Sequence, residues 1–323
     1  MADFRGNNGG DTLIVVPGTN SYDGLGGTDT LDFPETPFQH AMVAKTGPLS
    51  GTVTIGGDVS TFANIENLGF FDGRLTFDIN DRDAQIFRLY ETAFDRAPDQ
   101  PGFESWTNLL DGTFSLKQIA DFFITSPEGT ARFGNLDNTA FVTELYQDVL
   151  GRSATPGEIN GWVNLLAQPG ETRGDVLVGF SESQEHVNLT APAVQAGLWD
   201  NDRDIINISI AYHTGLGRAP DLDGAHAWAA FLDIANASLH DLTDAFAAVP
   251  EFRDHHRGQD NATFVTQLYE EGLGRTPSQA EVNSWVSLLD SGTSRELVYF
   301  DFVSSQEALA HAYAQATHGI TFA

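Results

Sequence analysis

Two rhythms of apolar and polar positions divide the chain near residue 80. Before it, apolar residues tend to recur at every second position in short runs separated by glycine-rich turns, the mark of half-buried strands. Residues 49–81, LSGTVTIGGDVSTFANIENLGFFDGRLTFDIND, keep this alternation and a Gly-Gly turn signal. From residue 82 the period lengthens to about 3.6 residues and glycines thin out, which predicts amphipathic helices. In the first such stretch Ile86, Phe87, Tyr90, Ala93 and Phe94 make one apolar stripe. Phe103, Trp106, Leu109 and Leu110 make a second, and Leu116, Ile119, Ala120 and Phe123 a third. The expected class is α+β: a small amino-terminal β-roll or sheet unit, then an all-α region.

The helical region repeats itself. A tyrosine, an arginine and a tryptophan recur at fixed spacing as Tyr90/Arg96/Trp106, Tyr146/Arg152/Trp162, Tyr212/Arg218/Trp228 and Tyr269/Arg275/Trp285. Phe123, Phe180, Phe246 or Phe302 follows each tryptophan, and then Glu128, Glu185, Glu251 or Glu307. Odd copies resemble one another (FDRAPDQPGFESW, LGRAPDLDGAHAW), as do even copies (LGRSATPGEINGW, LGRTPSQAEVNSW), so a two-copy unit has been duplicated once. The implied organisation is a β unit over 1–80, a first helical module over 81–189, a connection over 190–202, a second module over 203–311 and a tail over 312–323. Thr155-Pro156-Gly157-Glu158 and Thr276-Pro277-Ser278-Gln279 read as capping boxes, with Asp99 and Asp221 as caps of the odd copies.

An arginine just past a helix end can satisfy the last carbonyls and reach a carboxylate. The pairs expected within each copy are Arg96–Glu128, Arg152–Glu185, Arg218–Glu251 and Arg275–Glu307, structural rather than ligand-binding. The tryptophans lie on apolar stripes and read as core. The pattern LY-x-x-x-(L/F)-(G/D)-R-x-P, the tryptophan, and F-x-x-S-x-E resemble the domain-of-unknown-function family four-two-one-four over residues 82–311. That resemblance implies an all-helical fold and an extracellular setting, since tandem copies occur in bacterial secreted RTX proteins and in surface-layer or adhesin-like proteins. It transfers no catalytic residues.

The first thirty residues carry a second, shorter repeat. In a nine-residue register Gly9, Gly18 and Gly27 align, then Asp11, Asn20 and Asp29, then Leu13, Tyr22 and Leu31. This resembles the RTX calcium-binding nonapeptide, G-G-x-G-x-D-x-U-x, although the leading Gly-Gly pair is incomplete and the middle turn carries Asn20 and Pro17. Glycines permit the tight turn, the aspartate offers oxygen to a cation, and the apolar residue points into a parallel roll. Alternate nonapeptides stack on one side, so Asp11 and Asp29 would face one Ca²⁺ between them, with Asn20 on the opposite edge. A glycine-rich meander without metal is the competing reading. The knot Asp78-Ile79-Asn80-Asp81-Arg82-Asp83 offers a second candidate through Asp78, Asn80 and Asp83, or else caps the next helix.

Composition narrows the functions. The formal charge is −29, and Lys45 and Lys117 are the only lysines, which disfavours nucleic acid and anionic membranes. With 41% hydrophobic and 11% aromatic residues the chain can still bury a core. It has no cysteine, so disulfides and thiolate chemistry are excluded. No G-x-S-x-G, H-E-x-x-H or P-loop motif occurs. His255-His256 reads as a solvated pair. The opening lacks a cleaved-signal pattern and no run suits membrane insertion, which taken alone reads as cytosolic; the resemblance of the first thirty residues to RTX repeats implies type I secretion instead, with the tail as a possible signal.

The expectation is a non-enzymatic, calcium-binding extracellular protein of a bacterial surface or matrix. Its partners would be further copies of itself or a surface component such as polysaccharide. The alternative is a secreted carbohydrate-binding module or hydrolase with a cleft near Glu104, Trp106 and Asp111.

Overall fold

The first strands are separated by glycine-bearing turns of five or six residues, and instead of pairing as hairpins with their neighbours they coil. The computed structural model describes residues 2–110 and 112–323. Strand β1 (Asp3–Arg5) pairs in parallel with β3 (Asn20–Asp23), Asp3 opposite Ser21. Strand β2 (Thr12–Ile14) pairs in parallel with β4 (Thr30–Phe33), Thr12 opposite Thr30. Both registers advance by eighteen residues per coil, so the chain alternates between two sheets as a β-roll.

A 3₁₀ turn (Phe38–His40) and an antiparallel meander of β5 (Met42–Gly47), β6 (Ser50–Ile55) and β7 (Asp58–Ala63) follow, and β7 lies parallel against β3. The first sheet therefore has the order β1-β3-β7-β6-β5. With β8 (Asn67–Phe70), β9 (Gly73–Thr76) and β10 (Leu198–Asn201), the second has the order β10-β9-β8-β4-β2. Inward positions stack in layers. Phe4 lies on Tyr22 at 5.0 Å between ring centroids, Tyr22 is paired with Phe62, and Phe62 lies 6.2 Å from Phe77.

Each helical copy supplies two long helices, a third, and a short terminal one, although the last helix of an even copy is longer. The first two copies are α1 (Arg82–Phe94), α2 (Gln100–Leu110), α3 (Leu116–Thr125), α4 (Pro127–Phe133), α5 (Asn138–Leu150), α6 (Pro156–Leu166), α7 (Arg173–Ser181) and α8 (Gln184–Ala196). The second pair is α9 (Arg203–Leu216), α10 (Leu222–Ala235), α11 (Leu239–Ala247), α12 (Pro250–His255), α13 (Asn261–Gly272), α14 (Gln279–Asp290), α15 (Arg295–Val303) and α16 (Gln306–Gln315). In each pair the third helices, α3 with α7 and α11 with α15, lie side by side. Side-chain caps begin most helices, and Gly151 and Gly217 end α5 and α9 in the left-handed conformation, a place taken in the first copy by Asp95. The capping box of α14 runs from Ser278 to Glu281, two residues beyond the expected Thr276–Gln279.

Two compact units emerge, and their borders differ from those expected at residues 80 and 190. The first comprises residues 1–34, 41–69 and 74–200, so the roll and the first helical pair are continuous. The second comprises residues 35–40, 70–73 and 201–323. Residues 190–202 are not a free connection: 190–196 belong to α8, which carries Pro192 internally, and 198–201 form β10. Each unit has its own core, with Leu89, Phe123, Leu145 and Phe180 central in the first and Ile208, Phe246, Leu268 and Phe302 in the second. In the second unit the buried Asp72 carboxylate accepts the N–H groups of Phe38 at 2.8 Å and Ile320 at 2.7 Å. The terminal residues expected as a tail thus pack into that unit, with Ile320 buried. Among the described residues no helix is long and apolar enough to cross a membrane.

Candidate metal centre and the repeated arginine clusters

The eighteen-residue register lays turn 6–11 against turn 24–29. One carboxylate from each coil then falls into a ladder. The Asp11 N–H donates to Asp29 Oδ1 at 2.9 Å, and the Asp29 N–H donates to Glu66 Oε2 at 2.8 Å. Asn7 orients the first rung by donating from its main chain and side chain to Asp11, at 2.6 and 2.7 Å. Asp29 is fully buried, and its Oδ2 has no hydrogen-bond partner. An unpaired buried carboxylate oxygen is costly unless something positive meets it.

Glycine makes this crowding possible. A Cβ on Gly24 would strike the Asn64 carbonyl and stand 2.5 Å from Asp29 Oδ2; one on Gly6 would stand 2.6 Å from Asp11 Oδ2 and 2.8 Å from the Gly24 carbonyl. Gly27, at φ +125°, brings its Cα against the main chain of Gly9. The donors are oxygen throughout, which suits a hard cation such as Ca²⁺. Among the described residues no three carboxylate or imidazole side chains converge as a metal site, so an ion here would draw on main-chain carbonyls as well as Asp11 and Asp29. Burial pushes the Asp29 carboxyl above its ordinary range, aided by the charges of Asp11 and Asp23 and opposed by the Asp11 N–H. Burial also raises Glu66, with Asp29 and Asp78 adding to the effect.

Other expected ligands are placed elsewhere. Asn20 is committed to bracing: its Oδ1 accepts from the Ala2 N–H, and its amide donates to Val16 and Gly18 carbonyls. The acidic knot does not gather around one point. Asp78 Oδ1 accepts the Asn80 N–H, Asp81 caps α1, and the buried Asp83 meets Arg74 at 2.7 Å and Arg82 at 3.4 Å. Guanidinium groups therefore occupy the place a cation would take beside Asp83. Arg74 also reaches Asp81 at 2.8 Å, and Arg82 reaches Asp200 at 2.9 Å. Three carboxylates face two arginines, and burial together with Asp200 holds Asp83 above the usual carboxylate range.

The four recurring arginines each grip their glutamate through two nitrogens. Arg96 holds Glu128 at 3.0 and 3.0 Å, Arg152 holds Glu185 at 2.8 and 3.0 Å, and Arg218 holds Glu251 at 2.9 and 3.2 Å. Arg275 engages Glu307 in the same way. Each guanidinium lies over the tyrosine of its copy, 4.7 to 5.5 Å from the ring centroid. Phenylalanine closes the cluster, with Trp–Phe centroid distances of 5.1 to 5.4 Å. In even copies the tryptophan Nε1 donates to the tyrosine hydroxyl, at 3.2 Å for Trp162–Tyr146 and 3.1 Å for Trp285–Tyr269. Arg152 and Arg275 also reach the capping-box carboxylates Glu158 and Glu281, which they hold down to about 2 with help from the cap residues.

Of the residues named for a saccharide cleft, Glu104 is buried and accepts from Gln100 at 2.7 Å, Trp106 packs on Phe123, and Asp111 lies outside the described residues. The histidine pair is not solvated as expected: His256 is buried and bonds the Gly215 carbonyl, while His255 pairs with Glu271. Three features escaped the sequence reading. Glu66 ends the carboxylate ladder where Asp would stand in a longer repeat. Arg74 anchors the acidic knot. Arg173 donates to the Phe133 and Leu136 carbonyls and stacks on Phe141; Arg295 does the same to Gln259 and Phe264. The matched segments TRGDVLVGF and SRELVYFDF held the signal for that last pair.

The sequence model of the family described as Domain of unknown function (DUF4214) matches residues 75–133, 120–190 and 243–312. The chain belongs to this family. The three DUF4214 matches include the Arg96, Arg152 and Arg275 clusters, and the Arg218 cluster continues the same geometry between them. No curated protein matches the chain.

Proposed function

We propose that this is a non-enzymatic, calcium-binding structural or adhesive protein of a bacterial cell surface or matrix. The observation that carries the reading is the buried, unpartnered Asp29 Oδ2 set between glycine turns of RTX-like register. Without a cation the roll holds Asp11, Asp29 and Glu66 close together in a chain already carrying a formal charge of −29. Calcium offsets that repulsion and couples binding to folding. The DUF4214 copies supply a repeated helical scaffold for assembly or for a surface partner. Their tryptophans and arginines are engaged within each copy, which supports a framework role over a saccharide cleft.

Calorimetric titration with Ca²⁺, with far-ultraviolet circular dichroism in parallel, tests the metal reading. One or two equivalents should bind and β content should rise. Asp29→Asn should weaken binding at least tenfold. Unchanged β content and melting temperature in chelator, with no heat of binding, would overturn it.

A further inference from the structure

We propose that the second unit holds a small-molecule site of its own, a cavity between α9, α13 and α16 that takes a small organic amine. The site is independent of the calcium reading.

The cavity encloses about 140 Å³, close to the size that admits a single benzene ring. Its floor is apolar and buried, made by Ile206, Ile210, Ala308, Ala316 and Ile320. Ile320 is fixed there because Asp72 accepts its N–H at 2.7 Å and Gln39 donates to the neighbouring Gly319 carbonyl at 3.2 Å. At the mouth stand His213, His311, Glu270 and Glu271, and no lysine or arginine lines the space.

In the first unit the matching positions are filled. Counting from the shared Tyr90/Tyr212 and Glu185/Glu307 sets Ser209 against Phe87, Ile210 against Arg88 and Ala308 against His186. Phe87, Arg88 and His186 are all buried, whereas their smaller counterparts leave a hollow. The rim changes at the same place: His213 stands for Glu91, His311 for Leu189 and Glu270 for Gln147. A hollow in a core costs stability, and loose packing alone would not bring imidazoles and a new carboxylate to its mouth.

The rim selects charge. Glu271 is already engaged, accepting from Gln267 at 2.7 Å and pairing with His255. Glu270 forms no ion pair among the described residues, and the His213 ring makes no hydrogen bond among them. Burial, with His311 beside it, holds His213 below its ordinary range, so the neutral ring offers an acceptor nitrogen. An ammonium group supplies both the donors and the positive charge that these acceptors lack, and its hydrocarbon body covers the apolar floor.

Isothermal titration of the full chain with benzylamine, in millimolar Ca²⁺ and about 0.15 M salt to screen the surface charge, tests the proposal. One saturable site is expected, with benzyl alcohol about tenfold weaker or more and benzoate without measurable binding. Glu270→Gln alters an exposed residue to the one found in the first unit. It should weaken benzylamine about tenfold or more and leave the melting temperature unchanged. Ser209→Phe, which likewise copies the first unit, should abolish binding; Ala308→Val fills the same space should the larger side chain prevent folding. Undiminished affinity in Glu270→Gln or in the filled variants would overturn the proposal. So would benzoate or benzyl alcohol binding as tightly as benzylamine, or the absence of any saturable heat.

Discussion

Arg88 is among the largest side chains to be fully buried, and it is tolerable because Glu182 accepts two of its donors at 3.0 and 2.6 Å while the Ile79 carbonyl takes a third. Removing one partner of such a pair leaves a buried charge uncompensated. Glu182→Ala is therefore expected to cost about 3 kcal/mol, seen as a lower urea midpoint with an unchanged slope. Asp29 and Glu66 carry a different signature. Their carboxyls sit above the ordinary 3.8 and 4.5, so the folded chain binds those protons more tightly than the unfolded chain. In chelator the roll should gain stability as pH falls from neutral through the raised values, the gain levelling off below the ordinary ones. Asp29→Asn should shrink that slope in thermal melts. On the proposed calcium reading the ion would compete with the same protons, so its affinity should rise with pH across this window. The arginine–glutamate pairs were legible in the sequence because four copies wrote the spacing four times. Arg88 was not, because a single charged residue on an apolar helix gives no hint of a partner 94 positions away.

At the scale of elements, the glycines separate into those that hold the turns and those that do not. Gly27→Ala combines a positive φ with contact against the Gly9 main chain and should destabilise the roll by about 2 kcal/mol, while also weakening calcium binding. Gly161, inside α6, has open space around it, and Gly161→Ala should stabilise by about 0.5 to 1 kcal/mol. Comparing the two by chemical denaturation tells whether the turn glycines are conformational necessities. Periodicity revealed the helices because their stripes are long. It missed β10 because a four-residue strand, LWDN, is too short to show a period, and its partner β9 lies more than a hundred residues earlier. The capping box of α14 slipped by two residues because Thr276 and Ser278 compete for one role and only the second has Glu281 three positions ahead.

For the whole molecule, the continuity of the roll with the first helical pair sets how far calcium would act on the proposed reading. Gly197, next to β10, brings α8 close to Leu75 and Phe77 of the roll, and the Arg74 cluster reaches Asp81, Asp83 and Asp200. Calcium at 100 times its dissociation constant should add about 2.7 kcal/mol to the first unit, helices α1 to α8 included. In a calorimetric scan the transition that moves with calcium should thus carry helical as well as β signal, and the other should stay in place. The domain borders were not legible because residues 35–40 and 70–73, read as parts of the β segment, belong to the second unit.

That interleaving constrains how the second unit is made. Asp72 joins Phe38 to Ile320, a bond that closes across 248 positions, so the unit's last contacts are among the most non-local in the chain. Loop-closure entropy must be met before those contacts reward it, and folding slows accordingly. The helices α9 to α16 can gather early from local contacts, and the strap around Asp72 should be set last, since it needs both distant segments at once. A chain delivered vectorially from either end would hold this half unlatched until the final stretch arrives.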